Sequence, residues 1–354
     1  MRTSRTAPSD TAQGANRRGF IPYLHAFRGV AIILIMMTHL EVPDWFFNLV
    51  ANGTVFFAFI SGFLFSYLYD EHTTTRQFLV GKMGKLLLPY AIAVLPGLFY
   101  VYATQVQDDW LTYTVQTFAT GVGHFNNAHW YIPFISLMFL SYPVLGILQR
   151  RPRTLVSVTV VWLLIGAFTF RSASNGNPFY SVLHFGGVFL AGMTMSRYRT
   201  QIEAVGARWY WVIIPLSLAG FLISNSLIPK KYLWVTMEQV VEQRLVALDY
   251  LFIGKILLIP ATLLILSRLI RLRPLYAVLS LLAETSFALF FWHLYVIHAS
   301  HSFSHNLLQG LFSSSRLNQI AIFAFQLLLC LALIVPCVLA IRRILGRRSV
   351  YLTG

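Results

Sequence analysis

Arg28 and His39 stand inside the first long apolar run of the chain, YLHAFRGVAIILIMMTHL. A charged group at the centre of a bilayer is costly, about 2.5–3.5 kcal/mol for Arg on insertion scales, so each such residue is a functional candidate. The two are eleven residues apart, which on a helix is three turns plus roughly 20° and a rise of about 16 Å. The spacing predicts one helix face carrying both. A histidine titrating near 6.5 can act as a base or a nucleophile near neutral pH. A guanidinium grips phosphate or carboxylate with a two-pronged geometry. The pair therefore suits a long bound molecule with its anionic end at Arg28 and its reactive end at His39. The competing reading has Arg28 snorkelling to headgroup phosphates and His39 resting at the interface.

Other candidates are less insistent. Lys82 and Lys85 sit three apart in KMGKLLLPY, as phosphate-attracting charges or as ordinary topogenic ones. His293 follows Glu284 by nine residues, about half a turn beyond two full turns, so the two cannot point along one line and His293 alone is expected to line a pocket. His298, His301 and His305 have metal-compatible helical spacing, yet no carboxylate or cysteine completes them in the nearby sequence, so interfacial histidines and no metal site are expected. His129 and Trp130 open HWYIPFISLMFL; Trp130 and Tyr131 read first as an aromatic belt, with a pocket or sugar-stacking role as the alternative. Cys330 and Cys337 are seven apart in one apolar run, too far along a helix to bridge.

The elements that position these groups follow from composition. Of 354 residues, 57% are apolar and 11% charged, with a mean hydropathy of +0.65; ordinary soluble domains carry roughly 25% charged residues. The expected fold is all-α and polytopic. Apolar runs near residues 24–40, 53–69, 86–103, 130–148, 154–170, 181–196, 209–228, 250–267, 284–301 and 319–341 predict about ten membrane helices. Residues 1–20 read as a basic, disordered cytoplasmic tail, 21–345 as one membrane domain and 346–354 as a short cytoplasmic C-terminal tail. With ten spans, 20 of the 27 Lys and Arg residues fall on the side of the termini and five on the other, which places both termini in the cytoplasm. The net charge of +15 thus records topology and a bilayer partner, not nucleic-acid binding. Connections at 104–129 and 229–249 are the longest external ones and the places where an external substrate would be held.

With Arg28 and His39 as its leading motif, the chain resembles the membrane acyltransferases often called acyltransferase 3, which move acyl groups from acyl-CoA to sugars and other acceptors. Four further segments match that family in order and spacing: NGTVFFAFISGFLFSYLY at 52–69, KMGKLLLPY at 82–90, HWYIPFISLMFLSYP at 129–143 and ETSFALFFWHLYVIH at 284–298. Lys82 and Lys85 hold the places of two arginines, so two-pronged phosphate gripping is replaced by point-charge attraction. His25 stands where an acidic or polar residue is commoner, and Tyr295 where a proline often follows the late histidine.

The resemblance implies a multi-pass plasma-membrane O-acyltransferase, most simply of a bacterial inner membrane, with no bound cofactor and acetyl-CoA or another acyl-CoA as co-substrate. It implies His39 as base or acyl acceptor, Arg28, Lys82 and Lys85 as donor-binding groups, and a carbohydrate or lipid-linked glycan as acceptor. The rival class is a glycan or small-anion transporter or flippase with Arg28 and His39 as substrate or proton sites. The absence of an evident inverted repeat counts against it.

Overall fold

The computed structural model describes residues 19–42, 44–125, 127–169, 176–228, 248–308, 315–349 and 352. Most of the 1–20 tail, most of the 229–249 connection and the last residues of the C-terminal tail lie outside the described residues. Thirteen helices and a closing 3-10 turn are described: α1 (Pro22–Met37), α2 (Asp44–Val50), α3 (Thr54–Leu68), α4 (Thr75–Thr104), α5 (Trp110–Thr120), α6 (Tyr131–Leu140), α7 (Tyr142–Arg150), α8 (Pro152–Phe168), α9 (Pro178–Arg197), α10 (Arg199–Ser226), α11 (Tyr250–Leu269), α12 (Arg273–Leu308) and α13 (Ser315–Leu345). No strand occurs among the described residues.

Local chemistry explains several boundaries. Pro22 opens α1, where its missing N–H is an orphan in any case. Thr74 and Gln77 form a reciprocal capping box at the start of α4. Pro89 and Pro96 lie inside that continuous helix and do not break it, as neighbouring helices in a bundle allow. The α6 and α7 axes meet at 62° across Ser141; Pro143, in the first turn of α7, supplies no N–H to continue the ladder.

Every one of the ten apolar runs falls on a helix. By length and composition, seven helical stretches qualify to cross a membrane: Phe46–Leu68 with α4, α9, α10, α11, α12 and α13. The bent α6–α7 pair makes an eighth if it is one span. The two that fall short are α1 and α8, with 16 and 17 residues, about 24–26 Å of helix against a hydrocarbon thickness near 30 Å. The protein is a multi-pass, all-helical membrane protein.

Packing follows small residues. The α3 and α9 helices form the most extensive pair, with α8 on the other flank of α9, α10 against α11, α12 against α13, and α1 held between α3 and α12. Gly62 faces the Phe189 carbonyl and Gly192 the Phe59 carbonyl so closely that a Cβ at either place would collide with the opposite backbone, the close approach that small residues permit between membrane helices. Around this contact the interior is filled by phenylalanine: Phe27, Phe56, Phe63, Phe134, Phe185, Phe189, Phe252 and Phe291 are all fully buried. Outward positions such as Val161, Leu164, Leu216, Leu222 and Leu328 are apolar and exposed, as a lipid-facing surface requires.

Candidate active site

The packing of α1 along α12 gathers the leading candidates. Gly29 meets the Leu279 backbone, which lets the two helices run side by side. Arg28 reaches across and its Nε donates to Ser286 Oγ at 2.6 Å, while Ser286 Oγ donates to the Ala283 carbonyl at 2.8 Å. The hydroxyl is fully buried and has one geometry available, with its proton on the helix backbone and a lone pair on the guanidinium. Tyr131 lies within electrostatic reach of Arg28 and shares a hydrogen bond of 2.8 Å with Ser61.

Farther along the same helix pair, the His39 and His293 rings lie 5.2 Å apart, centre to centre. Ser286 and His293 are separated by about 10 Å of helix rise, so the guanidinium lies nearer the imidazoles than the 16 Å backbone separation of Arg28 and His39 suggests. The helix itself stops short of the histidine: α1 ends at Met37 and His39 sits in the following turn, its N–H bonded to Met36 at 3.0 Å. The regular helix thus carries Arg28, and the last step to His39 is a tighter turn that continues from its end. Thr38, whose hydroxyl bonds the Ile35 carbonyl at 2.7 Å, closes the last turn, and Pro43 soon after disfavours further helix.

His293 is fully buried, and its Nδ1–H donates to the Leu289 and Phe290 carbonyls at 2.8 and 3.0 Å. That fixes the tautomer: Nε2 carries the lone pair, and it is buried with no hydrogen-bond partner among the described residues. His129 is the converse. Its Nε2–H donates to the Phe291 carbonyl at 3.0 Å, leaving Nδ1 buried and unpartnered among the described residues. Buried lone pairs of this kind are uncommon in folded proteins, and each calls for an explanation. Trp130 is buried and stacked on Phe185 at 5.3 Å, and Tyr131 is buried as well. The belt expectation for these two residues is thus corrected: the packing of α6 on α9 encloses them in the interior.

Lys82 and Lys85 are exposed on α4 and line a cavity of about 430 Å³ together with Ser61, Asp70, Gln77 and Tyr142. Arg28 and His25 line a second cavity of about 330 Å³ beside Ile60 and Tyr67. Leu64 and Leu68 of α3 wall both, so the three cations border one region from opposite sides of a single helix. Neither cavity is lined by His39 or His293. A larger cavity of about 1160 Å³, between α10 and α11, contains none of the candidate residues.

Sequence reasoning missed several groups. Ser286 and Ser61 appear there only inside matching segments, and hydroxyls in an apolar run announce no partner. Lys255, fully buried, donates to the Leu49 carbonyl and lies over the Phe221 ring at 5.0 Å. His184 and Asp249 approach to 3.9 Å, and Asp249 also caps α11 through the Phe252 N–H at 2.9 Å. These last two clusters stand apart from the Arg28 and His39 contacts and read as satisfied interior charges.

No curated protein and no solved structure matches the chain. The sequence profile of the acyltransferase 3 family, described as an acyltransferase domain, matches residues 21–341. That stretch contains Arg28, Lys82, Lys85, His129, Trp130, Ser286 and His293 as well as His39, and runs from the first helix to the last. On that match over nearly the whole chain, the protein belongs to the acyltransferase 3 family of membrane acyltransferases.

Proposed function

We propose that this membrane acyltransferase is an O-acyltransferase that takes an acetyl group from cytoplasmic acetyl-CoA and places it on a hydroxyl of a cell-surface carbohydrate or lipid-linked glycan. The observation that carries the reading is the pairing of His39 with His293, seven residues along α12 from the serine that holds Arg28. The two sites give a cationic station and an imidazole station on one helix pair, in the order that an acyl-CoA presents its phosphates and its thioester.

In this reading His39 takes the proton of the acceptor hydroxyl as the oxygen attacks the thioester carbonyl carbon. The carbon–sulfur bond breaks, the coenzyme A thiolate leaves, and the proton passes from His39 to that sulfur. An acyl-histidine intermediate on His39 reaches the same products in two steps. The bare Nε2 of His293 offers a hydrogen-bond acceptor beside the reacting groups. Arg28, Lys82 and Lys85 attract the phosphates, with Lys82 and Lys85 in a more exposed setting and so more readily screened by salt. In this reading these cations and both termini face the cytoplasm, in keeping with the excess of Lys and Arg on that side in the ten-span topology, and the membrane is a bacterial inner membrane. The transporter alternative gains no support from the family match.

The test is release of free coenzyme A thiol by purified protein in lipid nanodiscs, given acetyl-CoA and a panel of glycan acceptors. Acceptor-dependent release with label appearing as an alkali-labile ester supports the proposal. Movement of glycan across a sealed bilayer without thiol release contradicts it.

A further inference from the structure

Beyond the turn that carries His39, three side chains from distant parts of the chain converge. His305 Nε2 lies 2.6 Å from Glu41 Oε1, and His301 Nε2 lies 3.1 Å from the same oxygen. One ligand atom from each residue lies within 4.8 Å of the other two. His301 and His305 are one turn apart on α12 with rings 4.6 Å apart, the i, i+4 arrangement that presents two imidazoles on one helix face to a single ion. Glu41, 264 residues before His305, supplies the carboxylate that the sequence around the histidines lacks.

We propose that Glu41, His301 and His305 bind one divalent transition-metal ion of the zinc class. Two imidazole nitrogens and one carboxylate oxygen suit zinc, with a fourth position left to water. Zinc–ligand bonds of about 2.0–2.2 Å place neighbouring donors a little over 3 Å apart in a tetrahedral site, so the present separations need only small side-chain rotations to admit the ion. The turn of α12 that carries the histidines is braced from behind: Gln326 of α13 donates to Ser304 Oγ at 3.2 Å, and Ser304 Oγ donates to the His301 carbonyl at 2.9 Å. Ser304 and Gln326 are both buried, so the two imidazoles are mounted on a fixed backbone while their metal-facing edges are accessible.

The ion would tie the segment following α1 to α12. Glu41 is two residues past His39, and His301 and His305 share a helix with His293, so the ion clamps together the two elements that set the distance between the His39 and His293 rings. The proposal does not rest on the acyl-transfer reading.

The experiment uses full-length protein purified without a histidine tag, stripped with chelator and titrated with Zn²⁺ by calorimetry and with Co²⁺ by visible absorption. The expected result is one ion per chain and a Co²⁺ spectrum of tetrahedral intensity, displaced by Zn²⁺. Glu41→Gln should bind at least about tenfold more weakly, and His301→Ala with His305→Ala should abolish the spectrum while eluting from size exclusion like the parent. Absence of stoichiometric binding to the wild-type chain would overturn the proposal, as would titrations identical in the wild type and the folded double variant. Gln326→Ala, which leaves all three ligands, should weaken binding by a smaller factor.

Discussion

Replacing Ser286 by alanine deletes one oxygen from the interior, and the consequence can be worked from its two hydrogen bonds. Ser286 Oγ accepts from Arg28 Nε at 2.6 Å and is aimed by its own donation to the Ala283 carbonyl. A hydrogen bond to a charged group contributes about 1.5–3 kcal/mol. At about 1.4 kcal/mol per decade, loss of the bond should raise the KM for acetyl-CoA roughly tenfold to a hundredfold, provided the guanidinium must be held there to meet the donor. Helix α12 should persist, because alanine is the best helix former and the serine side chain makes no other hydrogen bond among the described residues. The control is Arg28→Lys, which keeps the charge and lacks the Nε donor. If Ser286 acts through Arg28, adding Ser286→Ala to Arg28→Lys should cost little further, so the two effects are strongly non-additive. Initial rates of labelled acetyl transfer by the four proteins, at matched abundance in nanodiscs, give the cycle. An unchanged KM in Ser286→Ala, or two fully additive effects, would refute the assignment of Ser286 as the residue that positions Arg28.

Other consequences can be checked alongside. Gly62→Val should drive α3 from α9 and lower the apparent unfolding temperature by several degrees, since overpacking alone costs about 1–3 kcal/mol. Gly84→Ala, inside α4 with open space around it, should leave that temperature unchanged or raise it slightly in the same thermal scan, because alanine is the better helix former. Lys82→Ala with Lys85→Ala should raise the KM for acetyl-CoA and flatten its dependence on salt, because exposed charges are the ones salt screens; an unaltered salt slope would move the phosphate site elsewhere. After Cys330 and Cys337 are replaced, a cysteine at 108 should react with a membrane-impermeant maleimide in intact cells and a cysteine at 151 should not. The reverse pattern would invert the orientation.

The helices themselves were legible because apolar runs carry their signal locally, and the ten runs lie largely on helix; the number that cross the membrane was less legible, since seven stretches, or eight with the bent α6–α7 pair, have the length and composition to do so. The chemistry was legible in part. Arg28 and His39 stood out as polar groups in an apolar run, yet nothing in that run showed that the helix ends at Met37 or that the Arg28 side chain reaches Ser286 of α12. No periodicity within α1 could report this, because it depends on which helix packs beside Gly29. The same holds for Glu41 and the histidines of α12, which meet across 264 residues, and for the carbonyls facing Gly62 and Gly192. Trp130 shows the opposite error: an aromatic at the mouth of a span fits the belt pattern, and only the tertiary stack on Phe185 reveals it as interior. Long-range contacts leave no spacing signature in a single sequence, and in a bundle they decide which polar groups share a site.

The central claim is that His39 performs the transfer step, and the most direct measurement is single-turnover transfer of labelled acetyl by His39→Ala with donor binding followed in parallel. The variant should insert, elute as the wild type does and bind acetyl-CoA with little change. Its transfer rate should fall by roughly a hundredfold to ten-thousandfold, the range expected when a positioned base is removed. Near-normal turnover at normal abundance would contradict it and leave His39 a structural neighbour of His293.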